Sequence, residues 1–424
     1  MIAKIKYHFQ SLAALTIRGS AVLAGFFVTF FIGRTMGPEA NGTYALVTQT
    51  AMFLSVVAVG GVDMAAVREL SRAIAMKTSI DRRTYVSLIG WSMLIALIIS
   101  AVIVFGGHRV TGLLLKEMMP INIIIILVVI FIARTLTRLM SAILRSQKSF
   151  IFGQSIEGLF IPTMVSMVLL TGMLHTVEEV LLVTAIAGIA TGIFAVLMGL
   201  KHTVTAGSGL HISFSEILKV AIPLWSVGIA LNIGDWYGLV TVASVLGVYD
   251  AGLYRVAFQI ASVLSIITIG LYSVFSTQIG AARAAGNLER IAKLGRSATR
   301  LSIAFAAPVV LIILIFASQL LGIVGEEFIA AAEILRVMAF AQAIYVMTGP
   351  CGLTLAMCGH EKVNMIIALT ALALLVFTAP IAARWGGLTG VTACIGLIMA
   401  GRNIASFFAV LRLTGINVVT GTVR

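Results

Sequence analysis

Arg134 and Arg138 stand four residues apart in an otherwise apolar stretch, Phe131-Ile-Ala-Arg-Thr-Leu-Thr-Arg-Leu139. On a helix that spacing puts both guanidinium groups on one face. Two like charges stacked inside an apolar segment call for an anion, and arginine suits the task. Its planar fork holds a phosphate or carboxylate through paired hydrogen bonds and stays protonated where a lysine would not. Arg18 in the first apolar run and Arg402 in the last are similar cases, while Arg255 and Arg336 lie nearer the ends of theirs. Simpler readings exist for two of these: Arg138 can snorkel to an interface, and Arg336 can pair with Glu333 one turn earlier.

Two carboxylates share this apolar setting. Asp235 lies in Leu231-Asn-Ile-Gly-Asp-Trp-Tyr-Gly238, where Asn232, Trp236 and Tyr237 add polar and aromatic surface suited to sugars. Glu157 lies about two turns inside its own run. Because burial favours the neutral form of a carboxyl group, either can take up a proton or a sodium ion as a coupling site. The competing reading for both is an ion pair with one of the arginines. No phosphate-cradling loop, paired-histidine metal motif or nucleophile elbow accompanies them. No cofactor or metal is therefore expected, and the energy source is an H+ or Na+ gradient or the cargo's own gradient. Cys351, Cys358 and Cys394 lie in apolar runs without ligand spacing, and all six histidines (His8, His108, His175, His202, His211, His360) fall at expected termini or connections.

The elements that hold these residues follow from composition. Hydrophobic residues make up 60% of 424, charged residues 11%, and the mean hydropathy is +1.10. That is a polytopic membrane protein. Windows of helix-spanning length predict crossings near 12–34, 44–62, 84–106, 120–143, 152–174 and 179–200, then 217–245, 251–275, 301–323, 330–357, 363–383 and 386–411. The first run follows Lys4 and Lys6 and is too long for a signal peptide, so it reads as a retained helix.

The net charge of +13 is distributed as topology. Alternate connections beginning at the N-terminus carry nineteen of the 29 basic residues, and the opposite connections carry four: Arg34, Arg109, Lys116 and Arg384. This bias places both termini in the cytoplasm. The basic charge then meets lipid headgroups, with no nucleic acid as partner.

The two longest connections, near 63–83 and 276–300, are basic and read as short interfacial helices, the second capped by Asn287. One follows the second span and the other the eighth, as a duplication of six-helix halves requires. A local repeat agrees: Gly37-Pro-Glu-Ala-Asn-Gly42-Thr-Tyr44 returns as Gly247-Val-Tyr-Asp-Ala-Gly252-Leu-Tyr254. The expected fold is all-α, about twelve transmembrane helices in two pseudo-symmetric six-helix lobes around a central cavity, residues 1–205 and 206–424, with the linker at 201–216. Pro162, Pro308 and Pro350 are expected kinks, and Gly349-Pro350-Cys351-Gly352 is the clearest hinge candidate.

Phe30-Phe-Ile-Gly-Arg34-Thr-Met-Gly37-Pro38-Glu39-Ala-Asn-Gly42-Thr-Tyr44-Ala-Leu46, followed by Val59-Gly-Gly61-Val-Asp-Met-Ala-Ala-Val-Arg68-Glu69, resembles the bacterial polysaccharide flippases of Wzx type, within the multidrug/oligosaccharidyl-lipid/polysaccharide exporter superfamily. Weaker counterparts are Ile279-Gly-Ala-Ala-Arg-Ala-Ala-Gly286-Asn-Leu-Glu289-Arg and Ala356-Met-Cys-Gly-His-Glu-Lys362. The resemblance implies translocation of an undecaprenyl-diphosphate-linked oligosaccharide across the inner membrane, a cationic central cavity, and polysaccharide polymerase and chain-length proteins as partners. Arg18, Arg134, Arg138, Arg255, Arg402 and Trp236 are the candidate substrate contacts, and Asp235 and Glu157 the candidate coupling sites. Two alternatives stand beside this reading: an exporter of another lipid or drug, and a membrane polymerase or ligase acting on the same lipid-linked sugars. The longest external connection, around 107–119, has only His108, Arg109, Lys116 and Glu117 to offer an enzyme.

The charge bias predicts that reporter fusions after residues 78 and 290 read cytoplasmic and those after 111 and 385 read periplasmic. An inverted or odd-numbered pattern would overturn the two-lobe arrangement.

Overall fold

In a hydrocarbon setting every backbone amide must find its partner inside the chain, and an apolar run does so as a helix. The computed structural model describes residues 2–76, 81–115, 119–147, 149–200 and 214–423. Its helices are α1 (Ile2–Val59), α2 (Val62–Ala75), α3 (Arg82–Leu115), α4 (Ile121–Ser146), α5 (Phe150–Gly158), α6 (Phe160–Leu169), α7 (Val177–Leu200), α8 (Phe214–Leu246), α9 (Val248–Ala284), α10 (Leu288–Val324), α11 (Ala332–Thr348), α12 (Cys351–Met357) and α13 (Glu361–Thr414). A 3-10 turn at Glu326–Ala331 precedes α11, and a hairpin of β1 (Ile416–Asn417) and β2 (Thr422–Val423) follows α13.

Two of these helices are bent and each supplies two crossings. α1 turns at Gly37 (φ 83°, ψ −177°) and α13 at Gly387 (φ 58°, ψ −148°). α5 and α6 meet at 49° and together make one crossing. Among the described residues this gives six crossings from the limbs of α1, α3, α4, α5 with α6, and α7. Six more come from α8, α9, α10, α11 and the limbs of α13. The protein is an all-α integral membrane protein of twelve crossings, six in each of two lobes. Apolar side chains such as Phe105 at 91% exposure and Phe377 at 73% face outward, where lipid is their solvent.

The chain divides into two compact units, Met1–Trp236 and Tyr237–Arg424, with the division inside α8. The linker expected at 201–216 lies for the most part outside the described residues. In the first unit α4 is central, packed by α1, α2, α3, α5 and α7. Phe131, Leu139, Met140 and Ile143 on α4 are fully buried or nearly so. Small residues let α7 approach: a Cβ at Gly188 would lie 3.0 Å from Ala133 Cβ, and one at Gly192 would lie 3.1 Å from Leu136 Cδ2.

The local repeat has a structural counterpart. Gly247 between α8 and α9 adopts φ 110° and ψ 171°, close to the conformation of Gly37, and only glycine enters that region at low cost. At the first copy Pro38 withholds an amide from the helix, and the buried Asn41 Nδ2 donates to Thr29 O at 3.0 Å across the bend. At the second copy, Tyr254 is buried and stacked against Phe258.

Three expectations change. The second interfacial helix, near 276–300, is not a separate element. Its residues complete α9 and open α10, because Gly286 at φ 69° turns the chain within three residues and Asn287 caps the next helix, accepting from Arg290 N at 2.8 Å. The span expected at 330–357 is broken at Gly349 (φ 74°), next to Pro350, so the hinge candidate is a real discontinuity between α11 and α12. The hairpin is unexpected: Ile416 and Val418 are fully buried against Phe275, Ile279, Cys351 and Leu355, and Thr299 Oγ1 donates to Val418 O at 3.2 Å.

Replacing Gly37 or Gly247 by Ala is expected to cost about 1–3 kcal/mol each, the strain of a side chain in this backbone region. The control is Gly19→Ala, where nothing lies within 4 Å of the added methyl group. Thermal unfolding in detergent reads the difference. Equal midpoints for all three would contradict the shared-bend account.

Candidate anion-binding site and its ion-pair cluster

The arginine face on α4 is longer than the pair that first marks it. Arg134, Arg138, Ser141 and Arg145 follow at intervals of four, three and four, one stripe along the helix. Facing the stripe are the start of α2 and the end of α5. α2 begins after Gly60 and Gly61, both at positive φ (62° and 74°), and places Asp63 in its first turn, where the helix dipole favours an acid. Arg138 Nε donates to Asp63 Oδ2 at 2.8 Å, with the two side chains 16% and 7% exposed. Arg138 Nη1 also lies 4.0 Å from Glu157 Oε1.

Glu157 is held from three sides. Arg145 Nη1 pairs with its Oε2 at 3.1 Å, and Ser141 Oγ lies 3.2 Å from the same oxygen while donating to Gly153 O at 2.7 Å. α5 comes this close because of Gly153, where a Cβ would lie 2.7 Å from Ser141 O and 2.8 Å from Arg145 Cγ. The helix then ends: α5 stops at Gly158, and Pro162 cannot donate back across the break. Arg134 Nη1 supplies a donor there, to Glu157 O at 3.2 Å, a cation at a helix C-terminus.

Three arginines and two carboxylates leave this cluster one positive charge in excess. Within this cluster Arg138 and Arg145 pair with carboxylates, and Arg134 is bound through one nitrogen to a neutral carbonyl. The surplus therefore centres on Arg134, near the middle of its crossing.

The other candidates are spread over the fold. The side chain of Arg18 lies outside the described residues. Trp236 stacks on Phe53 (centroids 4.3 Å apart, planes at 10°) and donates to Thr50 Oγ1 at 3.1 Å, so it packs α8 against α1. Its neighbour Asp235 is exposed, and the side chain of Asn232 lies outside the described residues. Tyr237 donates to Val376 O at 2.9 Å. In the second unit Arg255 is half-buried and Arg402 is exposed. Arg336 does not take up the pairing with Glu333: its Nε donates to Leu314 O at 3.1 Å, because α10 presents a carbonyl closer than its own helix's acid. Among the described residues no three histidine, cysteine or acidic side chains gather as a metal site.

Asp63, Ser141 and Arg145 join the site without a local motif that singles them out. In the sequence Arg145 falls at the end of its apolar run, where a basic residue reads as a topology signal, and Asp63 falls in the 63–83 connection that reads as an interfacial helix. The signal was present in the continuation of the 134–138 spacing to 141 and 145.

A family model described as polysaccharide biosynthesis protein matches residues 10–276. The chain belongs to this family. A second model, described as MatE, matches residues 223–381, so the two matches together run from the first lobe into the second. Against curated proteins the sequence finds no match. Solved structures share the fold. An inward-facing multidrug resistance MATE family transporter of the MOP superfamily aligns with TM-score 0.73 at 15% identity, over 94% of this chain and 97% of that one. The lipid II flippase MurJ in an inward closed conformation aligns with TM-score 0.68 at 13% identity, over 95% and 87%. A MOP superfamily transporter from Pyrococcus furiosus, described as having a binding pocket of reverse polarity, gives 0.59 at 15% identity, over 95% of each chain. The family expected from the Phe30–Leu46 segment is thus borne out.

The Asp63–Arg138 contact predicts measurable coupling. In a double-mutant cycle of Asp63→Asn and Arg138→Gln, each single change leaves one charge unmatched, and the pair should show a coupling energy of about 1–3 kcal/mol. Unfolding in detergent reads it; additive single effects would remove the ion pair from the account.

Proposed function

We propose that this protein is a transporter that moves an undecaprenyl-diphosphate-linked oligosaccharide from the cytoplasmic to the periplasmic leaflet of the bacterial inner membrane, serving O-antigen, capsule or exopolysaccharide synthesis. The observation that carries the reading is the surplus positive charge at Arg134, in a family tied to polysaccharide synthesis. An uncompensated arginine at that depth is expensive unless it faces water or an anion. A diphosphate crossing the membrane is such an anion, and the guanidinium nitrogens not used on Glu157 O can receive it in the two-point geometry arginine favours. MurJ, named a lipid II flippase, shares the fold and supports a lipid-linked cargo.

Arg138 and Arg145 belong to the supporting network in this reading. Arg18, Arg255 and Arg402 are further substrate contacts met along the path. Both termini lie in the cytoplasm, and polysaccharide polymerase and chain-length proteins are the partners that receive the product. Coupling to H+ or Na+ is assigned to Asp235, a carboxylate exposed within the apolar run of α8 beside Trp236 and Tyr237, with Glu157 as the second candidate. The same surplus weighs against cationic drugs as cargo. No enzymatic step is part of the proposal.

Arg134→Ala should lower surface polysaccharide at least tenfold and leave lipid-linked oligosaccharide on the cytoplasmic leaflet, while Arg134→Lys rescues in part because the fork is lost; tenfold corresponds to about 1.4 kcal/mol. Leaflet-resolved analysis of lipid extracts is the measurement. Full export by a normally expressed Arg134→Ala protein would remove Arg134 from the path.

Asp235→Asn should retain insertion and cargo binding but lose the dependence of transport on an imposed proton or sodium gradient. Intact gradient dependence in a folded variant would return the coupling role to Glu157 or to the cargo gradient alone.

A further inference from the structure

The two limbs of α13 enclose a cleft of about 380 Å³, within the range of small-ligand sites. Its first wall is formed by Ile366, Thr370 and Leu374, and its second by Leu397, Gly401 and Arg402. Arg402 is the one charged side chain among the lining residues. Counting from Gly387 and from Thr414, it lies roughly 22 Å and 18 Å along the limb at 1.5 Å per residue. That is near the middle of a hydrocarbon core about 30 Å thick. Among the described residues no carboxylate forms an ion pair with it. Tyr345 on α11 is within electrostatic reach of it.

The walls are as informative as the charge. Leu397 is 72% exposed and Ile366 59%, so the apolar surface of the cleft continues outward onto both limbs. A headgroup phosphate of a resident phospholipid sits at the membrane surface and does not reach this depth. A phosphate carried across the membrane at the head of a long hydrocarbon chain does.

We propose that the α13 cleft is a binding site for the polyprenyl diphosphate end of the cargo in transit, with Arg402 on the phosphate and the Ile366–Leu374 and Leu397 walls on the first isoprenoid units. This deepens the functional reading above and rests on it. Charge complementarity and apolar continuity meet at one place: an anion joined directly to a hydrocarbon chain is the chemistry that matches both. The cleft belongs to the second unit and the Arg134 cluster to the first.

The test uses the full-length protein in nanodiscs, with a photoreactive phenylalanine analogue at Leu397 and radiolabelled polyprenyl diphosphate as probe. Light should label the wild-type background, and unlabelled polyprenyl diphosphate should compete. Arg402→Gln should weaken competition by about tenfold or more, the loss of one charge-assisted contact, with Arg402→Lys between. Ala371→Trp, which fills the cleft, should abolish labelling. Equal competition by phosphatidylglycerol would make the cleft a general lipid groove and overturn the proposal. Equal competition by polyprenol without phosphate would overturn the role of Arg402. Flipping of the full cargo is measured in parallel. Loss of labelling with flipping intact sinks the cleft and spares the function. Labelling of the protein that carries the analogue at Leu397, with no flipping by the unsubstituted protein, sinks the function and spares the cleft.

Discussion

Charge held inside a bilayer is the constraint on which the first lobe is organised. Removing a guanidinium or carboxylate from water costs several kcal/mol, and pairing offsets this only when geometry and hydrogen bonds are complete. α4 carries three arginines within twelve residues, and the fold answers with acids from two other helices: Asp63 from α2 and Glu157 from α5. Each acid arrives through a glycine. Gly60 and Gly61 turn the chain into α2, and Gly153 lets α5 touch α4. The network ties together three elements that would otherwise share only apolar contacts, and it is one charge short of neutral. An anion would balance it, and the proposed cargo carries one.

The bends serve the same end. A straight helix has no spare backbone groups, whereas a broken one leaves carbonyls that need donors. At the α5–α6 break the donor is Arg134, which both satisfies Glu157 O and keeps its remaining nitrogens near the acid cluster. In the second lobe the break between α11 and α12 at Gly349 is closed over by the C-terminal hairpin, whose Val418 meets Thr299 and Gly295 on α10. The two lobes thus repeat a bend at Gly37 and Gly247 but differ in what secures them: an ion network in the first and an apolar plug in the second.

Much of this is legible in the sequence because membrane physics leaves few choices. Twelve crossings follow from run length, and the Gly37 and Gly247 repeat marks two equivalent bends without any coordinates. What the sequence does not disclose is partner choice. Glu157 reads equally as a coupling site or an ion-pair partner, since its sequence neighbours are apolar and Arg145 is twelve residues away in sequence and 3.1 Å away in space. Asp63 looks interfacial because a first-turn acid on an amphipathic helix usually is. Trp236 reads as sugar-binding surface, yet Phe53 lies against its face through packing that no local pattern encodes. The hairpin escapes notice because two-residue strands have no periodicity to detect.

The central claim, movement of an anionic lipid-linked glycan, is tested most directly by reconstituting the purified protein into liposomes that carry a fluorescent polyprenyl-diphosphate oligosaccharide. Access of an external quencher to each leaflet is then followed in time. The account predicts that the protected pool becomes accessible far faster than in protein-free liposomes, and faster again under an imposed ion gradient. A protected pool that stays protected under every gradient, in liposomes where a cationic amphiphile is moved, would contradict it.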